Sequence, residues 1–172
     1  MSAQSSLTTK EFTGVRVEVT TPLSFDEVLK RLRNLVGHAS ASDIVAIAKN
    51  VASEADYARE VEKRFIGESG FMLFSEIDHG SWTPIFGLRR RAVRWIFGNP
   101  LIAITMLRHD IAVGLFVPVE LLLVNNPAGG AILIYVRPSS LIAVDDNPEL
   151  LAAARALDAK FEALVARATA SA

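Results

Sequence analysis

The chain has no cysteine. That removes disulfide frameworks, thiol nucleophiles and thiolate zinc sites together. It fits a reducing compartment, and a cytoplasmic location is the expectation. Trp and Tyr are scarce, with two of each in 172 residues. Excess charge of either sign is missing as well: 18 basic and 19 acidic residues leave a formal net charge of -1. A balanced chain has no overall field to attract nucleic acid or an anionic membrane, so neither is expected as a partner. Long hydrophobic runs are lacking. Residues 95–107 are broken by Gly98-Asn99-Pro100, and residues 113–124 by Pro118 and Glu120. Crossing a bilayer takes about 20 apolar residues, so no membrane span is expected. The polar first twelve residues contain no apolar signal-peptide core. No phosphate-cradling glycine pattern and no paired-histidine metal motif occurs, so neither a cofactor nor a metal is expected.

What is present is apolar. Hydrophobic residues make up 51% of the chain and charged ones 22%. This excludes an intrinsically disordered chain. A compact protein of 18.7 kDa keeps roughly 8,000 Å² of surface, which leaves room for a real core. The length fits a single domain over 1–172, with its core at about 12–168.

The apolar residues fall into readable periods. Val15, Val17 and Val19 alternate with polar residues and predict a strand. Ser24, three residues before Glu27, has capping-box spacing, and Phe25, Val28, Leu32 and Leu35 follow at helical spacing. Gly37 reads as a helix C′ residue. Residues 38–66 read as an inserted pair of short helices, the second capped by Ser53. Residues 71–78 predict a strand. Residues 84–97 fit either a helix or a strand; a strand ending at Gly98 is preferred, because Val93, Trp95 and Phe97 are β-branched or aromatic. Asn99-Pro100 predicts a helix start. Two apolar runs around Asn125–Gly130 predict a β-hairpin. Asn147-Pro148 opens a long C-terminal helix.

Strands joined by a tight hairpin are antiparallel, so the expected class is α+β. Within this order stand Gly70-Phe71, Glu76-Ile77-Asp78-His79-Gly80, Gly98-Asn99-Pro100, Gly114-Leu115-Phe116-Val117-Pro118 and Tyr135-Val136-Arg137-Pro138-Ser139-Ser140. Together these resemble the domain-of-unknown-function family 302 over about residues 12–168. The resemblance implies a TATA-binding-protein-like fold, β-α-β(4)-α, with a mainly antiparallel sheet and helices on one face. It also implies a homodimer, and it carries no settled activity.

Candidate site residues come from polar or aromatic side chains at element ends. Glu76, Asp78 and His79 end one strand, and His109-Asp110 ends the helix after Asn99. If the fold joined them they would offer acid/base or metal chemistry; separately, each has a structural role. Trp82, in a loop, is a candidate ligand platform or a core plug. Asn99 begins a helix whose free N–H groups suit an anion. Arg89, Arg90, Arg91 and Arg94 form the one basic cluster, suited to a small anion or to protecting an edge strand. Tyr135 completes the ligand-binding candidates Glu76, His79, Trp82, Arg94, Asn99, His109 and Tyr135. Ser139-Ser140 lacks a nucleophile elbow and reads as a turn.

Both faces of the hairpin are apolar: Val119, Leu121 and Leu123 point one way, Leu122 and Val124 the other. With helices on one side, the second face needs the inserted helices, another subunit or an apolar ligand. The expected function is a homodimeric, non-enzymatic module binding a small apolar, amphipathic or anionic ligand. The alternatives are a pure assembly subunit, or an enzyme using His79, Glu76, Asp78 and His109.

Overall fold

The computed structural model describes residues 5–171. Strands β1 (Arg16–Thr21), β2 (Gly37–His38), β3 (Met72–Asp78), β4 (Ala92–Gly98), β5 (Val119–Asn125) and β6 (Ala131–Val136) form one sheet in the order β1-β6-β5-β4-β3-β2. Every pairing is antiparallel except that of β2 with β3. The helices are α1 (Phe25–Leu35), α2 (Ala41–Asn50), α3 (Glu54–Phe65), α4 (Pro100–Leu107), α5 (Pro138–Ile142) and α6 (Pro148–Thr169). Setting aside β2, the α2–α3 pair and two short helices, the order is β-α-β(4)-α, an α+β fold.

Local chemistry sets the helix starts. Ser24 Oγ accepts the Glu27 N–H at 3.2 Å and caps α1. The Glu27 carboxylate does not return the bond; it takes Arg31 at 2.7 Å instead. A full reciprocal box forms at α2, between Ser40 and Asp43. Asn99 and Asn147 cap α4 and α6, each with Pro in the first turn. Residues 84–97 divide: Thr83–Phe86 is a 3-10 turn, and the strand begins at Ala92.

Gly37 departs from expectation. It is not a left-handed helix cap but the first residue of β2. A Cβ there would lie 1.7 Å from the Phe65 carbonyl oxygen, and one on Gly67 would lie 2.2 Å from the Gly37 nitrogen. Two backbone segments cross here with no room for a side chain, which is a second reason to require glycine. The crossing fixes the α2–α3 pair at the start of β3. There Ile47, Val61 and Met72 form a small core of their own, with Phe74 and Leu101 packed on it.

Period-two alternation places the main core. Val93, Trp95, Phe97, Leu121, Leu123, Leu133 and Tyr135 lie on the inner face under α1 and α6. Phe161 of α6 is fully buried, edge-on to Phe97 at 5.0 Å and tilted on Tyr135 at 4.4 Å. Burying each such side chain contributes roughly 1.5–3 kcal/mol.

The outer face carries Ile96, Leu122, Val124, Ile132 and Ile134, all half-buried, and Val136, which is 38% exposed. None of these belongs to either core cluster. The α2–α3 pair packs at the β3 end of the sheet and leaves this face uncovered, which removes one of the three expected covers. The chain exposes 10419 Å², against roughly 8,000 Å² for a compact monomer of this mass. The open sheet and the extended residues 5–14 both add to this excess.

Candidate functional site

The seven sequence candidates occupy four places. Glu76 points inward beside α1. It accepts Trp95 Nε1–H at 3.0 Å and is paired with Arg33, whose Nε lies at 3.1 Å. The carboxylate ties α1, β3 and β4 together and holds the Arg33 guanidinium still more firmly protonated, against the opposing effect of burial. Nearby, Arg91 grips Asp26 through two bonds of 2.6 and 2.7 Å and lies over the Phe25 ring at 4.0 Å. Those bonds lower the Asp26 pKa.

His79 and Trp82 follow β3. The rings meet edge to face at 5.9 Å, and Trp82 meets Phe86 at 6.1 Å. Trp82 is 49% exposed, so it is not the core plug. His79 lines a groove of about 560 Å³ over the outer face, with Arg94, Glu120, Leu122, Ile134 and Val136. Arg94 is bound to Glu120 across the strand pair, with Nε to Oε2 at 3.0 Å. Tyr135 borders the same groove, but its ring packs on Phe161 in the core, and burial raises its hydroxyl pKa.

Asn99 and His109 bracket α4. Asn99 Oδ1 accepts Leu101 N–H at 2.8 Å, and its Nδ2–H donates to the Gly70 carbonyl at 2.9 Å. His109 Nδ1 lies 3.5 Å from Glu149 at the start of α6. Asp110 caps the following 3-10 turn, Ile111–Leu115, through Ala112 N–H at 2.8 Å.

These placements bear on three of the sequence readings. His79 lines the outer groove, whereas His109 lies against Glu149 at the start of α6. Among the described residues no three His, Cys, Asp or Glu side chains are grouped to hold a metal ion. The arginine run does not guard an edge strand, because β4 lies inside the sheet, and Arg91 and Arg94 take separate carboxylate partners. The structure does gather His79 and Arg94 on the outer groove, with Trp82 beside them.

Sequence reasoning passed over a second cavity. It has about 190 Å³, between α4, the 111–115 turn and the sheet end. Phe71, Met106, Val119 and Leu157 form its buried floor, and Gly114 and Pro118 stand exposed at its rim. Two motif stretches singled out in the sequence, at 98–100 and 114–118, meet in its wall. The available signal was α4 itself, eight residues without a charge. Arg33 and Asp158 were also missed. Asp158, buried in α6, accepts Ser139 N–H at 2.9 Å and anchors α5.

Fold and site together define an α+β protein with one helix-covered sheet face, one open face and an apolar end cavity. The family model described as "Domain of unknown function DUF302" matches residues 47–168, and the chain belongs to that family. A crystal structure of the uncharacterized conserved protein DUF302 from Bacillus stearothermophilus aligns with a TM-score of 0.62 and 18% identity. The alignment covers 88% of this chain and 96% of that one, and the likeness is one of fold. A search of curated proteins gives no match. No helix among the described residues is long and apolar enough to cross a membrane.

Proposed function

We propose that this protein is a homodimeric, non-enzymatic binding module. Two copies meet through the open sheet face, and each holds a small apolar ligand. The carrying observation is that face itself: Ile96, Leu122, Val124, Ile132 and Ile134 stand together, half-buried and outside both core clusters. Uncovered apolar patches of this kind mark interfaces or ligand sites.

Charge favours a second copy as the cover. The ion pairs on this face, Arg16–Glu18 and Arg94–Glu120, are closed within the chain. An isologous contact brings identical patches together, and internally neutralised patches avoid like-charge repulsion. Size is also adequate. Five strands at about 4.8 Å spacing and six residues at about 3.3 Å give a footprint of roughly 400–500 Å². Leu115 and Phe116 beside one end of the groove, and Trp82 on His79 at the other, extend it toward the roughly 800 Å² per partner of a standard interface.

Sedimentation equilibrium at micromolar concentration is expected to give twice the monomer mass. Ile134→Glu, in the middle of the face, is expected to give monomer with an unchanged far-UV circular dichroism spectrum. A wild-type monomer under these conditions overturns the reading.

A further inference from the structure

We infer that the cavity between α4 and the sheet end is a binding site for an uncharged hydrocarbon group of roughly six to eight carbons, one aromatic ring or the end of an alkyl chain. The inference rests on the ligand-binding half of the reading above and gives it a place and a chemistry.

Three observations carry it. The first is lining. Asn99 is the one polar side chain in the wall, and both ends of its amide are already bonded, to Leu101 N–H and to the Gly70 carbonyl. No side chain remains to receive a charged or hydrogen-bonding group, and burying such a group unpaired is costly. The second is size. The cavity has about 190 Å³, and apolar cavities of about 150 Å³ are known to stay dry and take up benzene. The third is access. The floor residues Phe71 and Met106 are fully buried, while Gly114 and Pro118 at the rim are exposed. A ligand therefore enters past the 111–115 turn without unfolding the core.

Glycine keeps the mouth open. A Cβ on Gly114 would meet Leu107 Cδ2 at 3.7 Å, an ordinary contact, and its φ is not positive. A larger side chain there is tolerated by the backbone and grows into the opening. Ala103 of α4, also in the wall, offers a second point for filling.

The test is methyl NMR of the full chain, titrated separately with toluene and with 1-hexanol. Met106 lines the cavity, whereas Met72 sits in the separate α2–α3 core and serves as the internal control. The Met106 methyl resonance is expected to move saturably with at least one probe while that of Met72 does not. Toluene alone identifies a ring site, and hexanol alone a chain site. Gly114→Leu and Ala103→Leu are each expected to weaken binding at least ten-fold. A Met106 resonance unmoved by either probe in the wild type overturns the inference, as does undiminished binding in both folded variants. Sedimentation of the same samples reports dimerisation independently, so failure here is distinguishable from failure of the homodimer.

Discussion

Gly37→Ala and Gly67→Ala probe the crossing that seats the α2–α3 pair on the sheet. An ordinary Cβ contact is 3.4 Å or more, and a Cβ on Gly37 would lie 1.7 Å from Phe65 O, so the two crossing backbone segments must part by about 1.7 Å. Both glycines donate their N–H to the Phe71 carbonyl at 2.9 Å, and that separation breaks at least one of these bonds. Overpacking costs about 1–3 kcal/mol, and each lost hydrogen bond about 0.5–1.5. The lower entropy of the unfolded alanine chain returns about 0.4–1 kcal/mol. The expected loss is therefore about 1–4 kcal/mol for each variant, a fall in Tm of roughly 2–16 °C. Urea unfolding followed by circular dichroism measures it, with an unchanged m-value showing that only stability moved. Because the two residues obstruct the same crossing, the double variant is expected to lose less than the sum, by about 1 kcal/mol or more. A loss under about 1 kcal/mol in either single variant, or strict additivity, refutes the crossing as the reason for glycine.

Two further outcomes follow from the ion pair and the cap. The Arg91 bonds depress the folded Asp26 pKa, so its stabilisation is present above the ordinary aspartate pKa of about 3.9 and is lost as pH falls through the lower folded value. Thermal melts of the wild type are expected to decline below about pH 4, and Asp26→Asn is expected to make that decline shallower; an unchanged acid limb counts against the pair. Asn99→Ala removes the α4 cap and the bond to Gly70, and a loss of about 1–3 kcal/mol is expected in urea unfolding; a neutral result would mean that α4 is held by packing alone.

Where one chemical cause governs a stretch, the sequence is legible. Asn99-Pro100 and Asn147-Pro148 start helices because cap and ring act locally, and the 119–124 and 131–136 alternation places each residue on its observed face. Local pattern failed where the reason was distant. Gly37 is glycine because Phe65 passes against it. In the sequence Glu76 stands with Asp78 and His79, yet its partners are Arg33 and Trp95, on other elements. The candidate site suffered most. Residues adjacent in sequence on a strand point to opposite faces, and a helix end such as His109 goes wherever its helix docks. The apolar cavity left almost no trace in the sequence, because leucine, methionine and phenylalanine beside a void look the same as those in a filled core.

The sheet order also has a consequence in time. β1 is an edge strand whose neighbour is β6, with Thr21 opposite Ala131, and α1 packs against α6. β1 therefore has no partner strand until β6 emerges, and α1, though it meets β3 and β5 earlier, lacks its contacts with α6 until the end. At about 5–20 residues per second, that interval is on the order of 5–20 s of synthesis. During it, the amphipathic stripe of Phe25, Val28 and Leu32 lacks the part of its cover that α6 supplies. A topology that closes its ends last has a high contact order and folds slowly for its size. For this chain, the vulnerable period is the making of the molecule, before β6 completes the sheet.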